Sequence, residues 1–322
     1  MMKQVLPLDP VRYQRHPLHK YDRIWPETNC YADLWIELVH SWGQEPLAAL
    51  AFTLAIDFEG DQWTFFKFPL GDLYDLYGLD VQELAVWQPL TAHIEEQVSL
   101  GRPVLVELDS YYLPDTAGTA YQREHVKSTV AVNAIDVAGN CLRYFHNQAY
   151  HELRGDDFTE VFRLHERDKP HILPPYVEFV KPRRCAKTGR DLVEASLRLL
   201  RRELGRLPTT NPVENFKSRF QADLDWLVTE SIETFHRYSF ATLRQFGAGY
   251  ELAAAYLQWL DERAGTRFAE AVEAFTRLAK TAKTLQFHLA RSVARQKTMD
   301  ISPFDAMAST WRSAVEGLKV SL

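Results

Sequence analysis

Apolar residues follow two different patterns along the chain, and the pattern changes near residue 182. Before this point, short apolar runs predict strands. Gly101–Leu113 carries a Val/Leu run after a glycine and a proline, which is typical of a buried strand. Ser128–Asn147 predicts two more strands joined by a turn at Ala138–Asn140. Tyr31–Trp42 has apolar residues three and four positions apart, which predicts a helix that ends at Gly43.

After Arg183, apolar residues recur every three or four positions in several consecutive segments, which predicts amphipathic helices. Two of these apolar stripes are Leu192, Ala195, Leu199 and Leu200, and Phe268, Val272, Phe275 and Leu278. Short links separate the segments, so we expect four or five helices in an up-and-down bundle. The sequence therefore predicts an α+β fold, with an α+β domain at residues 1–182 followed by an all-α helical bundle at residues 183–322.

Composition and charge narrow the class of protein. A hydrophobic content of 46% with 25% charged residues is typical of a globular chain and excludes a disordered one. The net charge of −6 argues against nucleic-acid binding. The longest apolar run, Leu47–Ile56, has ten residues, whereas a membrane-spanning helix needs about 20. The first residues show no signal-peptide pattern, and three cysteines do not suggest a disulfide framework, so a cytoplasmic location is predicted.

A cysteine that can act as a nucleophile stands at the start of the first predicted helix, after Glu27, Thr28 and Asn29. The helix macrodipole favours a thiolate at such a position, and the free backbone N–H groups there can hold an oxyanion. Cys30 is therefore a candidate catalytic residue. Because cysteine is also among the most frequently buried residue types, a purely structural role stays open.

A histidine and an asparagine follow at predicted strand ends. His125 follows a polar loop and enters the strand that begins near Ser128, and His146 and Asn147 end the next strand. An asparagine at this place can accept the N–H of an imidazole and fix its tautomer. Cysteine at a helix start, then histidine at a strand start, then Asn or Asp at the next strand end is the order of papain-like cysteine enzymes. The order predicts a papain-like domain with Cys30, His125 and Asn147 as its triad.

A motif follows the predicted strand at 101–113. Asp109-Ser-Tyr-Tyr-Leu-Pro, followed by Tyr121 and His125, resembles the D-x-x-Y-L-P…Y…H pattern of the BtrH family of butirosin-pathway acyltransferases. The Asn29-Cys30 helix start is similar to that family as well. More closely, the chain resembles an uncharacterised bacterial family encoded beside amino acid:carrier-protein ligases and small carrier proteins. The resemblance covers most of residues 25–153.

This resemblance implies acyl transfer rather than proteolysis. BtrH-like enzymes take an acyl or aminoacyl group from the phosphopantetheine arm of a carrier protein and pass it to a small amine, so no further cofactor and no metal is expected. Carried over to this chain, Cys30 is the nucleophile of a ping-pong reaction, His125 is the base, and Asn147 orients the imidazole where relatives can carry aspartate. The residues expected to bind substrate are Asn29, Asp109, Tyr111, Tyr112 and Tyr121.

Carrier proteins are acidic around the serine that bears their arm, and one segment of this chain has the complementary charge. Between Lys181 and Arg206, nine basic residues stand against three acidic ones in a chain whose net charge is −6. Such a segment can steer an acidic partner. Arg198, Arg201 and Arg202 are the residues expected to contact it, and a solvated helix face is the alternative explanation for this run of charge.

Two other functions are compatible with the same residues. A cysteine hydrolase, either a peptidase or an amidase, would use the same triad and pass the acyl group to water. A non-catalytic binding protein would need Cys30 only for packing. Metal enzymes and nucleotide-dependent enzymes are disfavoured, because the close histidine pairs lack a metal-ligand spacing and the sequence contains no phosphate-binding glycine motif.

Overall fold

The computed structural model describes residues 1–20, 23–165 and 173–322, and its contacts divide the chain into two compact units. The sheet unit comprises Met1–Pro17, Cys30–Pro46 and Leu70–Ala186, and the helical unit comprises Leu18–Asn29, Leu47–Pro69 and Lys187–Leu322. The sequence predicted two consecutive segments that meet at residue 182. In the structure, the stretches 18–29 and 47–69 are grouped with the C-terminal helices.

The strands of the described chain form one antiparallel sheet. They are β1 (Lys3–Gln4), β2 (Leu79–Glu83), β3 (Val104–Asp109), β4 (Lys127–Asp136), β5 (Cys141–His146), β6 (Ala149–Arg154) and β7 (Val177–Pro182). Their order is β2-β7-β3-β4-β5-β6, and β1 pairs with β4. The predicted α+β class and the two strands predicted within Ser128–Asn147 are confirmed. The strand predicted to reach Leu113 ends at Asp109 and continues as the 3-10 turn Ser110–Tyr112.

Helices of the sheet unit lie on both sides of this sheet. They are α1 (Cys30–Ser41), α2 (Leu70–Tyr77), α3 (Leu90–Ser99) and α4 (Asp156–Val161). The first matches the helix predicted for 31–42 to within one residue at each end. Gly43 follows it with φ of 71°, a left-handed conformation that glycine adopts without strain and that commonly ends a helix.

Alternation along β3 gives the sheet two different faces. Val104, Val106 and Leu108 belong to an apolar core that also contains residues of α3 and α4. Glu107 and Asp109 alternate with them and therefore face the other side of the sheet.

Helix α1 packs on the face that Glu107 and Asp109 share. The hydroxyl of Tyr31 donates to Glu178 of β7 at 3.0 Å, and Glu178 is paired with Leu105 of β3. Tyr13 bridges the same helix to the sheet, because its hydroxyl donates to Glu37 of α1 at 2.6 Å and its ring packs on Phe145 of β5 with centroids 5.5 Å apart. Directly paired residues share a face, so α1 and the α3/α4 core lie on opposite sides.

Six α-helices lie between residues 189 and 322, all of which the structure describes. They are α5 (Gly189–Leu204), α6 (Pro212–Leu227), α7 (Ile232–Ser239), α8 (Gln245–Ala264), α9 (Ala269–Arg295) and α10 (Pro303–Val320). The sequence predicted four or five helices, which is fewer than the structure shows. One reason is that α7 has only eight residues and continues through the π-helical turn Phe240–Arg244 into α8. In the described parts of the chain, no helix has both the length and the hydropathy needed to cross a membrane.

Hydrogen bonds of Trp25 and Glu251 attach the stretch Leu18–Asn29 of the helical unit to helices α8 and α9. The indole N–H of Trp25 donates to the carbonyl of Ala279 at 3.0 Å, and the backbone N–H groups of Ile24 and Trp25 donate to the Glu251 carboxylate at 2.6 and 3.1 Å. The indole lies directly against Gly247 of α8, where an added Cβ would be 2.1 Å from the indole nitrogen. Glycine is required at this position by the close approach of the tryptophan.

We expect Gly247→Ala to lower the free energy of unfolding by about 1–3 kcal/mol, because the methyl group displaces the Trp25 indole. Gly317→Ala in α10 is the matched control, since a Cβ there would meet no atom within 4 Å. The control should keep the wild-type stability or gain up to about 1 kcal/mol from the better helix propensity of alanine. Chemical denaturation measures both, and a Gly247→Ala variant as stable as the control would contradict the described packing.

Candidate active site

Cys30 is the first residue of the twelve-residue helix α1, and its side chain is partly exposed. The first turn of a helix leaves backbone N–H groups without partners inside the helix, and the macrodipole adds partial positive charge there. Negative charge that develops at this position is therefore stabilised. The preceding residue, Asn29, belongs to the helical unit, where its side-chain amide donates to the carbonyl of Phe66 at 2.7 Å.

His125 is held by Asp109. The distance from Asp109 Oδ2 to His125 Nδ1 is 2.7 Å, and Asp109 Oδ1 accepts the backbone N–H of Tyr111 at 3.0 Å. The ring of Tyr111 stacks on the imidazole, with centroids 4.4 Å apart and planes within 10°. Because Nδ1 donates to the carboxylate, Nε2 of the neutral ring keeps a lone pair. The His125 side chain is 65% exposed, so this nitrogen has the properties of a general base that a reactant can reach.

Asp109, rather than Asn147, is the partner that orients His125. The β3–β4 register pairs Asp109 with Lys127, two residues after the histidine, and this brings the carboxylate to the imidazole. Asn147 lies in the turn between β5 and β6 with φ of 48°. Within the described residues, no hydrogen bond or ion pair joins His125 to Cys30 or to Asn147. The catalytic roles of these three residues stay predictions.

The predicted pocket tyrosines have different surroundings. The ring of Tyr112 stands edge-on to His125 with centroids 6.2 Å apart, so Tyr111 and Tyr112 flank the imidazole together. The hydroxyl of Tyr121 instead donates to Asp157 at 2.9 Å, and this hydrogen bond raises the pKa of Tyr121. Two of the three tyrosines therefore lie beside the proposed base.

The predicted docking arginines fall into two groups on α5. Arg198 and Arg201 are exposed and form no ion pair with any residue in the described ranges. Arg202 contacts Glu203, with 2.7 Å between Nε and Oε1, and Arg206 contacts the same carboxylate at 3.2 Å. Glu203 is buried. Arg198 and Arg201 are therefore available to an anionic partner, whereas Arg202 compensates a buried carboxylate.

A second histidine–aspartate pair lies on the other face of the sheet, in the apolar core that contains Tyr144. His146 Nδ1 is 2.5 Å from Asp115 Oδ2, and His146 Nε2 is 2.6 Å from Ser128 Oγ. The hydroxyl of Tyr144 donates to Asp115 Oδ1 at 2.5 Å. His146 and Ser128 are only 1% and 8% exposed. We call Ser128, His146 and Asp115 the buried triad.

The charges of the buried triad follow from its hydrogen bonds. Burial alone would raise the pKa of the Asp115 carboxyl, but the hydrogen bond and charge of His146, with smaller contributions from His151 and the Tyr144 hydroxyl, lower the pKa below its usual range. Burial and the nearby Asp115 charge raise the pKa of Tyr144 well above its ordinary value. At neutral pH Asp115 is therefore ionised and Tyr144 is a hydrogen-bond donor.

Sequence analysis missed the buried triad. Asp115 lies in the polar loop before His125, to which no role was assigned, and His146 was considered only as the neighbour of Asn147. One signal was available, because alternation places Tyr144 and His146 on the same face of β5. What the sequence pattern does not show is that the 3-10 turn Pro114–Thr116 returns Asp115 to that face.

The site and fold together define an α+β protein whose sheet carries a histidine–aspartate pair on each face and whose helix α1 begins with a cysteine. The chain belongs to the DUF1839 family. Residues 14–182 match the DUF1839 N-terminal domain, and residues 189–320 match the DUF1839 C-terminal domain. The residues between the two matches connect β7 to α5. A comparison with the curated proteins gives no match.

Asp115→Asn is expected to lower the free energy of unfolding by about 1.5–3 kcal/mol at pH 7, because the hydrogen bonds of His146 and Tyr144 then end on a neutral amide. The folded-state pKa of Asp115 is lowered, so its stabilisation is complete above the unfolded-state value of about 4 and is lost as the pH falls through the folded-state value. The stability difference from wild type should therefore shrink below about pH 4.

Urea unfolding between pH 3 and pH 7 measures this difference. Asp225→Asn is the control, because Asp225 is exposed and its neutralisation should change stability by less than about 0.5 kcal/mol. An Asp115→Asn variant that matches this control would show that the buried triad does not stabilise the fold.

Proposed function

We propose that the chain is a papain-like acyl or aminoacyl transferase. In this proposal, Cys30 receives the acyl group from the phosphopantetheine arm of an acidic carrier protein and passes it to a small amine. The observation that carries the proposal is the Asp109–His125 pair, an exposed imidazole aligned by a carboxylate. Asp109 faces the side of the sheet on which α1, the helix that begins at Cys30, is packed. The resemblance of the Asp109–Pro114 motif to BtrH-like acyltransferases supports the same chemistry.

The first half-reaction forms an acyl-enzyme. His125 takes the proton of the Cys30 thiol, the thiolate attacks the thioester carbonyl, and backbone N–H groups at the start of α1 stabilise the oxyanion. The bond to the pantetheine sulfur breaks, and the proton returns from His125 to that sulfur. Because one thioester replaces another, the free energy of the step is nearly balanced, and the enzyme contributes mainly by positioning the reactants.

The second half-reaction transfers the acyl group to the amine. His125 accepts a proton from the attacking amine, the C–S bond to Cys30 breaks, and the cysteine regains a proton from the imidazolium. Asp109 keeps the imidazole in the productive tautomer, and its negative charge stabilises the imidazolium. The neutral amide of Asn147 carries no such charge. Stacking on Tyr111 restricts the rotation of the ring.

A covalent intermediate on Cys30 is the expected outcome when the protein is mixed with a carrier protein loaded with a panel of aminoacyl groups. Mass spectrometry of the peptide that contains Cys30 should detect the adduct, and Cys30→Ala should abolish it. His125→Ala should slow its formation by at least about 100-fold, because general-base assistance is lost. Cys185→Ala is the matched control, since Cys185 is an exposed free thiol with no part in the mechanism.

The fate of the adduct distinguishes the alternatives. Transfer to an added small amine supports the transferase. Release to water alone in the presence of the amine would replace the proposal by a cysteine hydrolase. Transfer to the amine that survives in Cys30→Ala would overturn the proposed role of Cys30. A folded protein that accepts no acyl group at Cys30 would overturn the proposal in favour of a binding role.

Reversing the charge of Arg198 and Arg201 to Glu should raise the KM for the loaded carrier protein by about tenfold or more, because an acidic partner loses two attractive charges. The KM for a free acyl-pantetheine thioester should not change. The control variant carries Lys280→Glu and Lys319→Glu, which are exposed basic residues on α9 and α10 and give the same change in net charge. Equal effects of both variants on the carrier protein would contradict docking on α5.

A further inference from the structure

The buried triad is not used by the proposed function, yet its connectivity is that of an activated serine. The Ser128 hydroxyl lies 2.6 Å from one nitrogen of His146, and the Asp115 carboxylate lies 2.5 Å from the other. Acyl-transfer enzymes activate a serine by this arrangement, in which the hydroxyl and a carboxylate are hydrogen-bonded to opposite nitrogens of one imidazole.

Asp115 determines which nitrogen of His146 carries the proton. Its carboxylate is ionised at neutral pH, and an ionised carboxylate is only an acceptor. His146 Nδ1 therefore donates to it, and in the neutral ring Nε2 is left to accept the Ser128 hydroxyl. The Tyr144 hydroxyl occupies the second carboxylate oxygen, which prevents the carboxylate from rotating away from the imidazole.

Gln148 adds a buried hydrogen-bond donor two residues after His146. His146 of β5 pairs with Ala149 of β6, so Gln148 lies in the two-residue turn that follows His146, the histidine whose Nε2 is 2.6 Å from Ser128 Oγ. Gln148 is 7% exposed, and its side-chain nitrogen has no hydrogen-bond partner in the part of the chain that is described. A buried N–H group without a partner is costly. A carbonyl oxygen of an acyl group bound at Ser128 is an acceptor that would remove this cost.

The buried triad is separate from the cysteine site. Ser128 is paired with Leu108 and shares its face of β3, whereas Asp109, the partner of His125, lies on the other face with α1. The sheet itself lies between the two groups. An acyl group held at one cannot contact the other, so any chemistry of Ser128 is independent of the function proposed for Cys30.

We propose that Ser128 is the nucleophile of a second acyl-transfer site that hydrolyses esters or thioesters of small acyl groups, with His146 as base and Asp115 as the positioning residue. Ser128 Oγ bonds to the carbonyl carbon while its proton passes to His146 Nε2, and Gln148 donates to the carbonyl oxygen. The bond to the alcohol or thiol breaks, and that leaving group takes the proton from His146. Water then attacks the acyl-serine with the same base, which releases the carboxylic acid and restores the hydroxyl.

The small exposed area of Ser128, 8%, defines the substrate class. Because Ser128 is nearly covered by its neighbours, we expect it to react with a short acyl group such as acetyl. We therefore expect esters of long acyl chains and peptides to react more slowly at this site than acetyl esters.

The test uses the full chain with Cys30→Ala, so that no thiol at that position reacts. A fluorophosphonate probe should label Ser128, as mapped by mass spectrometry, and the protein should hydrolyse p-nitrophenyl acetate. Ser128→Ala should abolish both signals, and Gln148→Leu should slow them by about 100-fold because a carbonyl donor is lost. Ser110→Ala is the matched control, since Ser110 is also buried but forms its described hydrogen bonds through its backbone.

The proposal is overturned if the folded protein is not labelled at Ser128, or if ester hydrolysis persists in Ser128→Ala. Thermal unfolding of each variant verifies that the fold is retained. Labelling at Ser128 together with a failure of Cys30 to accept acyl groups would support the second site and reject only the cysteine mechanism, so the two proposals fail separately.

Discussion

The antiparallel pairing of β3 with β4 is the constraint on which both histidine–aspartate pairs depend. It places Asp109 beside Lys127, so the segment between the two strands begins and ends at the same end of the sheet. Side chains alternate between the faces, and this segment delivers one carboxylate to each of them: Asp109 to His125 on the face of α1, and Asp115 to His146 on the face of the apolar core. A register shift of one residue would exchange the faces and separate both pairs.

The two pairs differ in environment, and this difference separates their roles. The Asp109–His125 pair is exposed to water, where an ion pair contributes at most about 1 kcal/mol to stability. Its two hydrogen bonds to Asp109 and the stacking on Tyr111 therefore contribute little to stability, and they leave the imidazole aligned and accessible for the reaction that we propose. The Asp115–His146 pair is buried, where each polar group must be satisfied. Tyr144 and Ser128 complete its hydrogen bonds, so the pair can stabilise the core whether or not Ser128 has the reactivity that we propose.

The division of the chain into units has a consequence for Cys30. Asn29 is the last residue of a stretch that belongs to the helical unit, and Cys30 is the first residue of the second stretch of the sheet unit. The Glu251 carboxylate and the Trp25 indole hold that stretch through backbone and side-chain hydrogen bonds. The loop that leads into α1 is thus anchored a few residues before the cysteine. Sequence pattern did not show this, because a stretch without regular structure has no apolar period.

Local pattern by itself determined the α+β class, helix α1, the pairing of β4 with β5, the amphipathic C-terminal helices and the choice of Cys30 and His125 as candidate residues. Each of these follows from neighbours along the chain, where apolar period and helix or turn signals act. Only the tertiary structure decided the partners. His125 is held by a carboxylate 16 positions away rather than by Asn147, and His146 is held by one 31 positions away. Strand register and loop path set such pairs, and both depend on packing between distant residues that no local period encodes.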